Sequence, residues 1–313
     1  AENKEWELGL MESYAAMVTN MDAGMGRVVD ALKDAGQYNN TLILFLADNG
    51  GCAEGMGRRN GIQYRDKNPE QLQPMGSGDL QFDMIPRRTR DGRVVKQGTE
   101  VMTGGSDTYH GYGLAWANAS NTPFREYKHW VHEGGISSPL IAHWPKGIKR
   151  ESEKGTRRMA DGSLVTDQSG HLVDFMATIL ELGKARYPDK VDDRKIDPLM
   201  GRSLVPIFEG KTREGHETLY FHFGTDRALR QGDWKIVSAK SGRWELYNMD
   251  EDRTEMHDLA SMHPQRVKQM AAEWLQIARD KERLKGRHIA PVKTRLQSLN
   301  FRKSTLSGSA SKN

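Results

Sequence analysis

Leu42-Ile43-Leu44-Phe45-Leu46-Ala47-Asp48-Asn49-Gly50-Gly51 is the stretch that decides the fold. An unbroken apolar run stops abruptly at a carboxylate, an amide and two glycines. Such a run predicts a strand buried on both faces of an α/β sheet, which delivers Asp48 and Asn49 to the sheet rim, where open sheets bind ligands. Just upstream, Tyr14, Met17, Val18, Met21, Met25, Val28, Val29 and Leu32 recur at helical intervals. They predict an amphipathic helix of about five turns, stopped by Gly36. A helix feeding a buried strand within a few residues is half of a parallel crossover unit. The expected fold class is therefore α/β, with a doubly wound sheet carrying helices on both faces.

A second stretch, Thr122-Pro123-Phe124-Arg125-Glu126-Tyr127-Lys128-His129-Trp130-Val131-His132-Glu133-Gly134-Gly135, sets a lysine five residues before a Glu-Gly-Gly turn. The glycines permit close backbone approach. Residues 136–144 then read as another buried strand, interrupted by Pro139 and closed by Pro145. Hard oxygen donors from Asp48 and Asn49 suit Ca²⁺ or Mg²⁺, and a lysine beside them suits a sulfate or phosphate oxyanion. Two oxygens cannot fill a shell of six or more, so further carboxylates must complete it. Asp-Asn-Gly is also good turn chemistry, and a lone loop lysine is commonly a solvated charge.

Between these stretches, residues 54–113 lose all periodicity and are punctuated by glycines. A loop of that length is expected to be functional and to wall a cleft. Residues 171–180 predict a core-facing helix ended by Gly183, and residues 203–208 a helical turn ended by Gly210. Beyond Lys211 the texture changes. Residues 218–223, 227–231, 234–237 and 244–247 read as short strands separated by Gly-containing turns. A helix opened by Pro264 follows, with Val267, Met270, Ala271, Trp274, Leu275 and Ala278 on one face. The predicted organisation is residues 1–211 for the α/β part, 212–285 for a small antiparallel sheet-and-helix subdomain, and 286–313 for a basic, disordered tail.

The net charge of +4 belongs to the tail. Residues 280–313 hold nine Lys/Arg against two Asp/Glu, which leaves the remainder at −3. The body is therefore not read as a nucleic-acid binder. No apolar run approaches the roughly 18 residues of a membrane span. The polar N-terminus has no signal-peptide pattern. Cys52 is the one cysteine, so no intrachain disulfide exists. Nothing supplies it with an adjacent base, and it reads as a small packing residue. Asn39-Asn40-Thr41 and Asn118-Ala119-Ser120 match the glycosylation acceptor pattern, which arises often by chance. His129, His132 and Glu133 do not follow a zinc-helix spacing, and the glycines after them would end any such helix. His132 is instead read as lining the substrate pocket, with His110 in a loop and His143 at a core edge. The glycine-rich spans contain neither a dinucleotide fingerprint nor a phosphate-binding Walker loop.

In combination these motifs resemble one family. Leu44-Phe45-Leu46-Ala47-Asp48-Asn49-Gly50-Gly51, Lys128 followed by Glu133-Gly134-Gly135-Ile136 and Pro139, and residues 116–125 with Trp144-Pro145 are similar to bacterial arylsulfatases of the sulfatase family, within the alkaline-phosphatase superfamily. Arg227-Ala228-Leu229-Arg230-Gln231-Gly232-Asp233-Trp234-Lys235 and Trp244-Glu245-Leu246-Tyr247 extend the likeness, which covers roughly residues 14–278. The resemblance implies the C-terminal portion of a doubly wound mixed sheet. It also implies calcium held by Asp48 and Asn49, and Lys128 as the catalytic, substrate-binding lysine on the sulfate. The family's formylglycine arises in a Cys/Ser-x-Pro/Ala-x-Arg segment. Cys52-Ala53-Glu54-Gly55-Met56 does not match it, so the nucleophile, the paired aspartates and the leaving-group histidine are expected upstream. Phe223-Gly224-Thr225-Asp226 also departs from the family's His-Glu-Gly-Asn-like run. The expected function is sulfate-ester hydrolysis on a sulfated small molecule or carbohydrate, with this chain inactive alone. A periplasmic or secreted setting is implied, and oligomeric state is left open. A phosphatase or phosphodiesterase of the same superfamily, or a non-catalytic sulfatase-like binding module, are the competing readings.

Overall fold

The computed structural model describes residues 3–68, 72–149 and 156–282, so the basic tail expected over residues 286–313 lies outside the described residues. The chain forms two compact units interleaved in sequence. One takes residues up to 27, 47–139 and 220 onward, and the other takes residues 28–46 and 140–219. Among the described residues no helix is long and apolar enough to cross a membrane.

Helix α1 (Lys4–Asp34) starts ten residues earlier than the periodicity predicts and ends where Gly36 turns left-handed at φ +66°. That glycine conformation lets the amides of Gly36 and Gln37 close on the carbonyls of Lys33 and Leu32. Only Trp6 and Leu10 of the helix are buried. The predicted apolar face is open to solvent, with Met17 and Val28 each 62% exposed. Periodicity records a face fit for burial, and the described residues do not cover it.

In the second unit, β1 (Ile43–Leu46) pairs with β4 (Leu140–His143) in an antiparallel ladder of two strands. This corrects the expectation of a fully buried strand inside a parallel layer. Phe45, Leu140 and Ile141 are all substantially exposed, because no further strand among the described residues flanks the pair. Two more hairpins, β5 (Thr156–Arg158) with β6 (Leu164–Thr166) and β7 (Lys190–Val191) with β8 (Arg194–Lys195), are local. Helix α4 (Asp174–Leu182) and the turn α5 (Val205–Phe208) fall where predicted. However, α4 buries Asp174, Ala177 and Thr178, while its apolar residues Met176 and Ile179 face solvent, as does Leu172 just before it. Asp174 is the reason: its carboxylate accepts the amides of His171 and Arg202 at 2.8 Å each, Arg213 Nη2 at 2.9 Å and His216 Nε2 at 2.6 Å. One buried acidic residue thereby ties the start of α4 to residues 202, 213 and 216.

The first unit holds the long loop, which among the described residues contains only β2 (Gln63–Tyr64), β3 (Lys96–Gln97) and isolated bridges as regular pairing. It also holds α2 (Gly113–Ser120), the short α3 (Glu133–Ile136) and the C-terminal sheet. That sheet is β9 (Leu219–Phe223), β10 (Asp226–Gln231), β11 (Trp234–Ser238) and β12 (Glu245–Asn248), in spatial order β12-β11-β10-β9. Helix α6 (Pro264–Asp280), with proline in its first turn, covers one face. Strand alternation sorts the sheet's side chains. Leu229, Ile236, Trp244 and Leu246 meet Met270, Trp274 and Ala278 of α6. Ala228, Val237, Tyr247 and Met249 instead pack on Val131. The second face of this sheet is therefore occupied by the very segment that carries Lys128.

Candidate functional site

The two motif stretches are laced together by backbone. Gly50 N donates to Gly135 O and Lys128 N donates to Gly51 O, both at 3.0 Å. Asn121, just past α2, clamps both stretches. Its Oδ1 accepts the Gly51 amide at 3.0 Å, and its Nδ2 donates to Glu126 O at 2.9 Å. The glycines are required by contact. A Cβ on Gly50 would overlap the Gly134 carbonyl oxygen, and one on Gly135 would stand 2.8 Å from Tyr127 O while overlapping Trp130 O. Two non-glycine residues flanking Lys128, Glu126 and His129, hold φ of +67° and +80°. Such strained conformations persist where the surrounding structure over-determines them and cluster at functional sites.

Asp48 is exposed and Asn49 half-buried at the end of β1. Among the described residues neither side chain makes a hydrogen bond or ion pair. Their oxygens are thus free to bind a hard cation, and the donor chemistry fits calcium as part of a shell. Among the described residues no group of three or more His, Cys, Asp or Glu side chains is poised to hold a metal alone. Lys128 projects a half-exposed ammonium 4.0 Å from Glu54 Oε1, and the same oxygen lies 3.4 Å from His129 Nε2. The His129 hydrogen bond, with help from Cys52 and the Lys128 charge, holds the Glu54 carboxyl below its ordinary range. Glu54 went unnoticed in the sequence because it is one acidic residue in a polar loop, although its place a few residues past Asp48-Asn49 was a usable signal.

His132 departs from its expected place at the pocket. It is 1% exposed, and its Nε2 faces Glu245 Oε2 at 3.4 Å on the C-terminal sheet. Burial in the interface with β12 removes it from any solvent-open site. Beside it, Glu133 is buried against Lys235 of β11, with Nζ 2.7 Å from Glu133 Oε1 and 2.8 Å from Glu255 Oε1. Burial pushes the Glu133 carboxyl up, but the charge and hydrogen bond of Lys235 outweigh it and the acid stays below its ordinary range. The Glu of the Glu-Gly-Gly motif is therefore an anchor, and the lysine that receives it lies a hundred residues away in sequence.

The architecture defines a class first. The crystal structure of Ps i-CgsB, in a complex with k-i-k-neocarrahexaose, matches 94% of this chain and 47% of that chain with a TM-score of 0.51 at 20% identity, which marks a shared fold. Two family models match the sequence: Sulfatase over residues 1–185, and the C-terminal domain of N-sulphoglucosamine sulphohydrolase over residues 125–283. The chain belongs to the sulfatase family. It is 29% identical over 294 residues to an uncharacterized sulfatase, PB10D8.02c, of Schizosaccharomyces pombe, covering 88% of this chain and 44% of that protein. It is also 29% identical over 214 residues to an arylsulfatase of Klebsiella aerogenes, covering 68% of this chain and 38% of the relative. The chain thus spans less than half the length of these curated relatives.

Proposed function

We propose that this chain supplies the cation-binding rim and the sulfate-binding lysine of a sulfuric ester hydrolase of the arylsulfatase type. One observation carries the reading: the backbone of Lys128 is hydrogen-bonded to Gly51, three residues past Asp48, in a chain of the sulfatase family. In this reading Asp48 and Asn49 hold calcium with their unpartnered oxygens. Calcium held there would supply Lewis-acid polarisation of the sulfate, and the nucleophile, a formylglycine, would come from outside these residues. The chain's own part is electrostatic. The Lys128 ammonium pairs with a sulfate oxygen and neutralises charge that grows as the ester bond breaks. Glu54 holds that ammonium and the His129 ring ready beside the rim. The substrate class is a sulfated small molecule or carbohydrate. The names of the relatives and the oligosaccharide in the Ps i-CgsB complex support that choice. A periplasmic or secreted setting, where weak calcium sites stay loaded, belongs to the same reading.

The test is hydrolysis of an aryl sulfate by the protein that carries this chain. Lys128→Ala is expected to lower kcat/KM by about 10²–10³-fold, mostly in kcat, because the lysine matters most to the transition state. Retention of full activity would remove Lys128 from the sulfate-binding site. Asp48→Ala is expected to weaken calcium binding measured by calorimetry, and an unchanged affinity would move the metal elsewhere. The 313-residue chain alone contains no Cys/Ser-x-Pro/Ala-x-Arg segment and is expected not to turn over. Steady hydrolysis by it would overturn the division of labour.

A further inference from the structure

We propose that Lys235, on the C-terminal sheet, is a positioning residue that holds the Asp48–Gly51 rim and the Lys128 segment in register. The proposal goes beyond the sulfatase reading and rests on it only for what the rim and Lys128 do.

Lys235 is fully buried on β11, on the face it shares with Ala228, Val237 and Tyr247. Its Nζ meets two carboxylates, Glu133 Oε1 at 2.7 Å and Glu255 Oε1 at 2.8 Å. Glu255 is itself fully buried, and its other oxygen accepts the Glu133 backbone amide at 2.8 Å. Arg125 Nη1 donates to Glu255 O at 2.9 Å. One ammonium group therefore grips the first residue of α3 twice, through its side chain directly and through its amide by way of Glu255. From there the connection to the rim is short. Gly134 N donates to Arg125 O and Gly50 N donates to Gly135 O, each at 3.0 Å. Gly50 directly follows the Asp48-Asn49 pair.

A scaffold that only needed stability would gain as much from apolar packing, since buried ion pairs often add little over hydrophobic residues of equal volume. What a buried charge trio adds is directionality: Lys235 must point at two fixed oxygens, which fixes α3. Removing the lysine leaves two buried carboxylates facing each other without the ammonium between them, with the more exposed Arg253 guanidinium 3.9 Å from Glu133 Oε2 as a weaker partner. The turn must then shift or hydrate, and the Gly135 carbonyl shifts with it.

Amide hydrogen exchange on the full chain tests this without relying on activity. In Lys235→Met, the Gly50, Gly51 and Lys128 amides are expected to exchange at least tenfold faster, while the Leu229 and Ile236 amides of the β10–β11 ladder keep their rates. Glu133→Gln keeps an acceptor for Lys235 but removes one of its two charge partners, leaving Glu255, and is expected to give the same local pattern at smaller size. Rates at Gly50 and Lys128 that stay unchanged, or that rise only in step with the β10–β11 ladder, would overturn the proposal. Should Lys235→Met fail to fold, Glu133→Gln decides by the same criterion. A fully active Lys128→Ala enzyme would end the assigned role of Lys128 on the sulfate and leave these exchange rates untouched, so the two failures are distinguishable.

Discussion

Gly50→Ala is expected to cost the chain about 3 kcal/mol or more, and to separate the two halves of the candidate site. The added Cβ would overlap the Gly134 carbonyl oxygen and stand 2.9 Å from its carbon, so the obstacle is backbone and no rotamer change relieves it. The neighbouring stretch cannot retreat easily either. A side chain on Gly134 would already press within 2.8 Å of the Arg125 carbonyl carbon, and Gly135 is packed against Tyr127 O. Relief requires breaking the bond from Gly50 N to Gly135 O, one of the two backbone bonds that the rim and the lysine segment share. Gly26→Ala is the control. It lies within α1 with nothing inside 4 Å of a new Cβ, and is expected to stabilise by about 0.5–1 kcal/mol through helix propensity. Urea unfolding midpoints of the two variants should therefore move in opposite directions. Equal tolerance at both positions would show that the two stretches do not meet as described.

Asp174→Ala is expected to be at least as damaging, by about 3–5 kcal/mol, the cost of breaking a buried ion pair from one side. It strands the Arg213 guanidinium, which is 8% exposed as a residue, along with His216 and the amides of His171 and Arg202. The same carboxylate gives the second unit an acid sensitivity. Burial pushes the Asp174 carboxyl up, but the two amides, His216 and Arg213 together hold it below its ordinary value of 3.8. A carboxyl depressed on folding contributes stability that is fully present above its unfolded value and is lost as pH falls through the lower, folded one. Wild-type chain should thus lose stability as pH drops below about 4, and Asp174→Ala should lose much less over the same range. Urea titrations at pH 7 and at acid pH check both statements. A parallel loss in the two proteins would place the acid-sensitive group elsewhere.

The signals that read correctly from the sequence are local. Gly36 and Pro264 fix helix ends because a left-handed glycine or a ring-locked φ acts within one turn, whereas Gly183 caps α4 at φ −79° and Lys184 takes the left-handed turn after it. The four strands beyond residue 218 were legible because alternation and Gly turns repeat over a few residues. Asp48-Asn49 and Lys128 are offered by the sequence as cation and oxyanion chemistry, and the structure joins their backbones through Gly50, Gly51 and Gly135. Whether those side chains touch one sulfate is for the Lys128 and Asp48 variants to answer.

The misreadings share one cause. Leu42–Ala47 looked doubly buried, yet β1 meets only β4 among the described residues, because side-chain character states a preference and neighbours supply the burial. Residues 171–180 looked apolar toward the core, but Asp174, with four partners between residues 171 and 216, turned the polar side of α4 inward. Lys235 shares its strand face with Val237, and its burial follows from the segment that covers that face.

By itself, then, the sequence determined the type of the longer helices and of the C-terminal strands, and the kinds of atom offered at the rim, since each depends on residues a few positions apart; the start of α1 and the short helix Glu133–Ile136 were decided by the fold. Only the tertiary structure decided that the far face of the C-terminal sheet is covered by residues 125–135, and so that Lys235, Glu133 and Glu255 become one buried cluster. A charge is driven to find partners wherever water is excluded, and which surfaces lose their water is a property of the assembled chain.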